Sequence, residues 1–124
     1  MPKTILVIDD ELVIVEITKH RLQENGYEVM TASDGEEAFV QLNKKIPDLI
    51  ILDVQMPKMN GYTFIMEKSK SVKFADIPVI VLTSYNAMEP LFKRHGIKDY
   101  LLKPMKLQKL LDKVTEFAGP AVSE

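Results

Sequence analysis

The chain has 124 residues, 46% of them hydrophobic and 27% charged, which is typical of one globular domain rather than a disordered chain or a membrane protein. It has no cysteine, which excludes disulfides and thiolate chemistry, and its formal net charge of −2 argues against direct nucleic-acid binding. Its longest apolar run is four residues and it begins without a signal peptide, so we expect a cytoplasmic protein with no membrane insertion.

Five short apolar runs alternate with stretches that are each long enough for one helix. This alternation predicts an α/β fold with a parallel sheet, and the lack of polar alternation within the runs predicts helices on both faces. We expect a doubly wound sheet of order 2-1-3-4-5, with its most polar strand at an edge. The predicted strands are residues 4–8, 28–31, 48–52, 79–82 and 99–102.

Five helices are predicted, one after each strand. Gly26 should end the first helix, the Ser33-Asp34 pair and Asn60 should cap the second and third, and Pro90 limits the fourth to a short helix. Lys68 interrupts the apolar stripe of the third helix. The predicted helices are residues 11–25, 36–45, 62–72, 89–95 and 105–117. The predicted buried positions include Ile14, Ile17, Leu22, Ala38, Phe39, Leu42, Ile46, Phe64, Ile65, Val72, Leu91, Phe92, Leu110, Leu111 and Val114.

Polar side chains follow the predicted strands at their carboxyl ends, where ligands bind in sheets of this type. Three carboxylates in one crevice repel one another unless a cation neutralises them, and oxygen ligands favour Mg²⁺. An aspartate beside such an ion can act as a nucleophile toward phosphorus, with a lysine and a hydroxyl group stabilising the transferred group. The strand-end residues are Asp9, Asp10, Asp53, Thr83, Ser84, Lys103 and Pro104.

These motifs resemble the receiver domain of two-component response regulators, whose fold is flavodoxin-like. The resemblance covers nearly the whole chain, as a receiver domain over residues 1–119 followed by a flexible tail over 120–124. It rests on the Asp9-Asp10 pair, Asp53-Val54-Gln55-Met56-Pro57 with Gly61 eight residues after the aspartate, Thr83, and Lys103-Pro104.

The resemblance implies that Asp53 is phosphorylated by a histidine kinase or a histidine-phosphotransfer protein. It implies a Mg²⁺ site formed by Asp10, Asp53 and the backbone carbonyl of Gln55, with Asp9 acting through water. Lys103 would bind the phosphoryl group and form a cis peptide bond with the proline that follows it.

A conformational switch is the second implication. Thr83 would move toward the phosphoryl group and draw Tyr100 from an outward to an inward rotamer, which would alter partner binding by the surface of residues 86–118. An amphipathic residue on an edge strand is the alternative interpretation of Tyr100. The segment from Thr83 to Gly96 is about two residues shorter than is common in receivers, which bears on this surface and not on Asp53.

Residues 93–113 contain seven basic residues and two aspartates, which gives this segment a local charge of +5. Such a segment is usually a solvated helix face, and a docking surface for an acidic partner is the alternative. The two histidines, His20 and His95, have no partner at ligand spacing and are predicted to lie on helix surfaces.

The leading hypothesis is a stand-alone phosphoacceptor that is not a turnover enzyme. A phosphotransfer intermediate or a constitutive interaction domain shares the same residues and remains an alternative. A Mg²⁺-dependent phosphohydrolase is disfavoured, because the second acid expected after such a nucleophile is Gln55 in this chain.

Overall fold

The computed structural model describes residues 2–54, 60–84 and 89–122. Within these ranges five strands alternate with five helices along the chain. The strands are β1 (Thr4–Ile8), β2 (Glu28–Ala32), β3 (Leu49–Leu52), β4 (Val79–Thr83) and β5 (Asp99–Leu102). The helices are α1 (Leu12–Glu24), α2 (Gly35–Lys44), α3 (Gly61–Ser69), α4 (Glu89–Lys93) and α5 (Leu107–Ala118).

The strands form one parallel sheet in the order β2-β1-β3-β4-β5, as predicted. The polar strand β2 lies at one edge and β5 at the other. Every strand therefore ends at the same side of the sheet, and the residues that follow β1, β3, β4 and β5 share that side.

Each face of the sheet has its own hydrophobic core, which explains why the strands are apolar at consecutive positions. In β1, Leu6 and Ile8 pack on the face covered by α2, α3 and α4, while Ile5 and Val7 pack on the face covered by α1 and α5. Leu110 belongs to the second of these cores, as expected from the apolar stripe of the last helix.

The predicted helix boundaries are largely confirmed, because the local signals act as expected. The Asp34 side chain accepts a hydrogen bond of 2.8 Å from the Glu37 N–H at the start of α2. Asn60 caps α3 in the same way, accepting 2.9 Å from the Thr63 N–H. Gly26 follows α1 with a positive φ of 92°, a backbone conformation that disfavours side chains.

The predicted buried face of α1 is confirmed at Leu22 but is wrong at Ile14 and Ile17. Val15, Thr18 and Leu22 are buried, whereas Ile17 is 47% exposed and Ile14 is half-buried. Residues 15, 18 and 22 follow the helical period as well as the predicted set does, and packing against the sheet selects this face.

Three other predicted core positions are exposed, two of them because they lie beyond the ends of their helices. Helix α2 ends before Ile46 and α3 ends before Val72, so these side chains are 47% and 99% exposed. Leu91 in α4 is 39% exposed, while the adjacent Phe92 is fully buried. The described part of α4 ends at Lys93, two residues earlier than predicted, and α5 begins two residues later, at Leu107.

No helix in the described ranges is long and apolar enough to cross a bilayer.

Candidate functional site

Backbone hydrogen bonds extend past the strand ends and hold the polar residues that follow them. The Asp9 N–H donates to Ala32 of β2 at 3.0 Å, and the Asp53 N–H donates to Ile8 of β1 at 2.9 Å. At the other side of the site, the Lys103 N–H donates to the Thr83 carbonyl at 2.8 Å. The sheet therefore fixes the backbone positions of Asp9, Asp53 and Lys103.

Three carboxylates meet at this edge of the sheet, as the sequence predicts. Asp9, Asp10 and Asp53 each offer one oxygen, and the three oxygens lie within 4.8 Å of one another. Asp9 and Asp53 are 5% and 6% exposed, while Asp10 is exposed to solvent. Two buried carboxylates and one open to solvent form a site that a cation can enter from outside.

Lys103 reaches into the carboxylate cluster from the end of β5. Its Nζ donates to Asp9 at 2.7 Å, to Glu11 at 3.2 Å and to Asp53 at 3.4 Å, with only 15% of the side chain exposed. Burial lowers the pKa of Lys103, but the hydrogen bond that it donates to Asp9 and the charge of Asp53 outweigh this effect, so the pKa is raised. Lys103 is therefore a fixed cation at the centre of the site.

Burial dominates the electrostatics of Asp9 and raises its pKa. Hydrogen bonds from Lys103 and from the Glu11 N–H favour the ionised carboxylate, the latter at 3.0 Å, but they do not cancel the effect of burial. The nearby charge of Asp53 raises the pKa further. One ammonium thus faces several acids, and the all-oxygen donor set fits a hard divalent cation such as Mg²⁺.

Thr83 ends β4 next to Lys103, and Tyr100 lies on the neighbouring strand β5. Thr83 is fully buried, and Tyr100 is 7% exposed, with its ring centroid 5.8 Å from that of Phe92 in α4. Phe92 in turn contacts Tyr62 of α3, with 5.7 Å between ring centroids. Ring contacts from buried Tyr100 and Phe92 to half-buried Tyr62 therefore connect β5 to α4 and α3.

Gly61 is required for the close approach of α3 to the end of β3. A Cβ atom at this position would lie 2.8 Å from Val54 Cα and 2.9 Å from the Asp53 carbonyl oxygen, both of them backbone atoms. The Gly61 N–H also donates to the Val54 carbonyl at 2.8 Å. The spacing of Gly61 from Asp53 thus has a steric cause that the motif alone did not reveal.

Other predictions about the site have mixed outcomes. The Lys103-Pro104 bond is cis, as the resemblance implied. Gln55, whose carbonyl was expected to bind Mg²⁺, lies outside the described residues, as do positions 86–88 at the start of the surface of residues 86–118. Sequence reasoning missed Glu11, although it is a third acid directly after the Asp9-Asp10 pair.

The histidines differ from each other. The His20 side chain is 77% exposed on α1, as predicted. His95 follows α4 instead of lying within it, is half-buried, and has its Nε2 3.4 Å from the Tyr62 hydroxyl oxygen. The surface prediction for His95 is therefore wrong, because its ring packs edge-on against Tyr62.

The basic segment is partly neutralised within the domain. Lys93 pairs with Glu89 at 2.8 Å, Lys113 pairs with Asp99 at 2.9 Å, and Lys103 is engaged in the carboxylate cluster. Besides Lys93, the exposed cations of the segment are Arg94, Lys98, Lys106 and Lys109.

An apolar groove of about 470 Å³ opens beside Lys103, between α1 and the start of α5. Ile14, Ile17, Met105 and Leu107 contribute to its walls, and Glu11 and Ser84 lie on its lining next to the carboxylate cluster.

Comparison with known proteins gives a consistent result. Residues 5–115 match the response regulator receiver domain family. Chemotaxis protein CheY4 of Vibrio cholerae has a structure that superposes with a TM-score of 0.86 at 33% identity, over 94% of this chain and 99% of that chain. Response regulator TrrA of Thermotoga maritima, solved in complex with Mg²⁺ and BeF, gives a TM-score of 0.82 at 37% identity, over 93% and 98% of the two chains.

A longer relative is the probable transcriptional regulator ycf27 of Cyanophora paradoxa. It is 42% identical over 110 residues, which cover 87% of this chain and 45% of the relative. The chain spans about half the length of the curated relatives it matches.

Proposed function

The chain belongs to the response regulator receiver domain family, and from this premise we propose that Asp53 accepts a phosphoryl group from a phosphohistidine donor. The observation that carries the proposal is a buried Asp53 carboxylate at the end of β3, beside Asp9 and Asp10 and 3.4 Å from Lys103 Nζ. Receivers of this family are phosphoacceptor signalling domains and not classical enzymes.

The transfer is a substitution at phosphorus. A carboxylate oxygen of Asp53 forms a bond to phosphorus as the phosphorus–nitrogen bond of the donor breaks, and the nitrogen keeps the electron pair. Water later attacks the same phosphorus, which returns the carboxylate and releases inorganic phosphate. The chain is proposed to assist both steps by positioning and charge, and to act as a phosphoacceptor rather than as a turnover enzyme.

Asp10, Asp53 and the carbonyl of Gln55 are proposed as Mg²⁺ ligands, with Asp9 acting through a water molecule. The acidic cluster and its all-oxygen donor set support this assignment. When bound, the ion neutralises the carboxylates and the phosphoryl oxygens. The Mg²⁺–BeF complex of the related TrrA also supports the proposal.

Lys103 is proposed to exchange partners during the reaction. It is bonded to Asp9 at 2.7 Å and lies 3.4 Å from Asp53, so a small movement of its Nζ brings the ammonium to a phosphoryl oxygen on Asp53. A fixed cation at this position stabilises the charge on the transferred group. Thr83 is proposed to donate its hydroxyl hydrogen to another phosphoryl oxygen.

Thr83 and Tyr100 are proposed to transmit the change to the surface of residues 86–118. Tyr100 is already in a buried arrangement against Phe92, and phosphorylation is proposed to favour this arrangement through the movement of Thr83. The surface that responds would then bind a downstream protein. The donor is proposed to be a histidine kinase or a histidine-phosphotransfer protein, and the receiver is proposed to occupy residues 1–119.

The test is incubation with acetyl phosphate and Mg²⁺, followed by intact-mass measurement. We expect the mass of one phosphoryl group on the wild-type chain and none on Asp53→Asn. Asp112→Asn, which changes an exposed aspartate on α5, serves as the matched control and should be labelled like the wild type. Failure of the wild type to be labelled under saturating conditions would contradict the proposal.

A further inference from the structure

Lys68 is a buried lysine that has no part in the phosphoacceptor chemistry. It lies near the end of α3, at a position where the apolar stripe of that helix predicts a hydrophobic side chain, and it is only 6% exposed. Burying a lysine removes a strongly hydrated cation from water, which is unfavourable unless a partner replaces the water.

The hydrogen bonds of the Lys68 ammonium within the described ranges do not use all of its donors. Its Nζ donates to the Ala75 carbonyl at 2.9 Å, in the loop that joins α3 to β4. An ammonium has three hydrogens to donate, and within the described ranges this is its one hydrogen bond. Asp76 contributes only through its charge, without an ion pair, and burial lowers the pKa of Lys68.

A cavity of about 200 Å³ adjoins this lysine. Lys68 and Ala75, which share this hydrogen bond, both line the cavity. The lining includes residues that precede β4 and β5, such as Pro78 and Lys98, which places the cavity at the amino ends of the strands. The carboxylate cluster lies at the carboxyl ends, so the two sites are separate.

The charges around the cavity leave one positive charge in excess. Lys68 and Lys98 are cationic and Asp76 is anionic, while His95 also contributes to the lining. A single negative charge from a ligand would balance this set. The rest of the lining includes four aliphatic side chains, Ile65, Ile77, Val79 and Ile97.

We propose that this cavity binds a small monocarboxylate, with its carboxylate on the Lys68 ammonium. A carboxylate supplies the acceptors that the buried ammonium lacks, in a charge-assisted hydrogen bond. It also carries the single charge that the lining requires, whereas a phosphate dianion would carry one charge too many and a larger desolvation cost. The site is independent of Asp53.

The probe for the test is propionate, added to the ¹⁵N-labelled chain at constant ionic strength without Mg²⁺. We expect saturable amide shifts centred on Ser69, Gly96 and Ile97, with a Kd on the order of 1 mM for so small a ligand. Propionamide, which has the same shape without the charge, should give no saturable shift. Inorganic phosphate should bind at least about tenfold more weakly than propionate.

Two lysine variants on the same segment separate the site from general effects of charge. Lys68→Met keeps an unbranched side chain and is expected to abolish saturable propionate binding. Lys70→Met, which removes an exposed lysine two residues away, should bind propionate like the wild type. Asp53→Asn should also bind propionate normally, which keeps this test distinct from that of the phosphoacceptor.

Several results would overturn the proposal. Equal shifts with propionate and propionamide in the wild-type chain would show that the carboxylate is not recognised, whatever the folding of the variants. Unchanged binding by folded Lys68→Met, tighter binding of phosphate than of propionate, or the absence of saturable shifts would each do so as well.

Discussion

At the scale of single residues, the site contains more acid than its one lysine can neutralise. Lys103 bonds to Asp9 and Glu11 and lies near Asp53, so its ammonium is shared among three carboxylates. Asp9 is nearly inaccessible to solvent, and burial raises its pKa despite the lysine. Without a metal ion, ionised Asp9 therefore opposes folding.

Asp9→Asn is expected to stabilise the chain at neutral pH in the absence of Mg²⁺. Because the pKa of Asp9 is raised in the folded state, the folded chain binds more protons than the unfolded chain above the ordinary aspartate pKa. The free energy of unfolding of the wild type therefore falls as the pH rises through the raised pKa, and this loss is absent from the variant. Urea unfolding of the wild type and of the variant at several pH values measures the difference in stability and its pH dependence.

The advantage of Asp9→Asn should disappear as the pH falls below the ordinary aspartate pKa, where Asp9 is protonated in both states. Asp112→Asn, on the exposed side of α5, should show no such pH dependence. A variant that is less stable than the wild type at neutral pH without metal would contradict this account of Asp9.

The strand-end residues could be predicted from sequence because a parallel sheet brings all carboxyl ends to one edge. Glu11 could not be assigned to Lys103 in the same way, since its contact depends on where α1 begins and how its side chain turns. The burial of Lys68 was equally hidden, because a helical pattern cannot show that a neighbouring loop covers a charged side chain.

At the scale of the elements, α3 is placed by a contact between backbones rather than between side chains. Gly61 lies so close to Val54 and to the Asp53 carbonyl that no side-chain atom fits between them. Asn60 caps the helix directly before this contact. The start of α3 thus supports the backbone that carries Asp53.

Gly61→Ala is expected to destabilise the chain by about 1–3 kcal/mol, because the added methyl group forces backbone atoms apart. The displaced segment carries Asp53, so labelling by acetyl phosphate should also slow. Urea unfolding and the rate of phosphoryl labelling measure the two effects. Thr63→Ala, at an exposed position of the same helix, should change both quantities little; wild-type stability and labelling in Gly61→Ala would contradict the steric role.

Helix positions followed from local signals, but the buried face of α1 did not. Two sets of residues on α1 fit the helical period: residues 14, 17 and 22, which are all apolar, and residues 15, 18 and 22, which include Thr18. The second set is the buried one, although it has fewer apolar residues. The choice depends on the fit of α1 to the core between the sheet and α5, which no count of apolar residues contains.

At the scale of the whole molecule, charge is distributed unevenly. Acidic residues gather at the proposed metal site, and basic residues gather in the last third of the sequence. Acidic residues converge at the carboxyl ends of the strands, and the basic segment of residues 93–113 is partly paired within the domain. The strand order was predictable because apolar runs that alternate with helical stretches are typical of a doubly wound parallel sheet. The groove beside Lys103 and the cavity beside Lys68 could not be predicted, because they form between elements that are distant in sequence.

Mg²⁺ is expected to raise the melting temperature of the chain, because it binds the folded acidic cluster and not the dispersed carboxylates of the unfolded chain. At a concentration about 100 times its Kd, linkage gives about 2.7 kcal/mol of stabilisation. Asp10→Asn should lose most of this rise, and Asp112→Asn should keep it. Equal melting temperatures of the wild type with Mg²⁺ and with a chelator would contradict the proposed metal site.

The central claim, that Asp53 is the residue that carries the phosphoryl group, is tested most directly by locating the label. Borohydride reduces an aspartyl phosphate to homoserine, and trypsin then separates residues 46–58, which contain Asp53, from residues 4–19, which contain Asp9 and Asp10. After acetyl phosphate and Mg²⁺, we predict homoserine at position 53 and unmodified aspartate at positions 9 and 10. Homoserine at position 9 or 10, with Asp53 unmodified, would contradict the account.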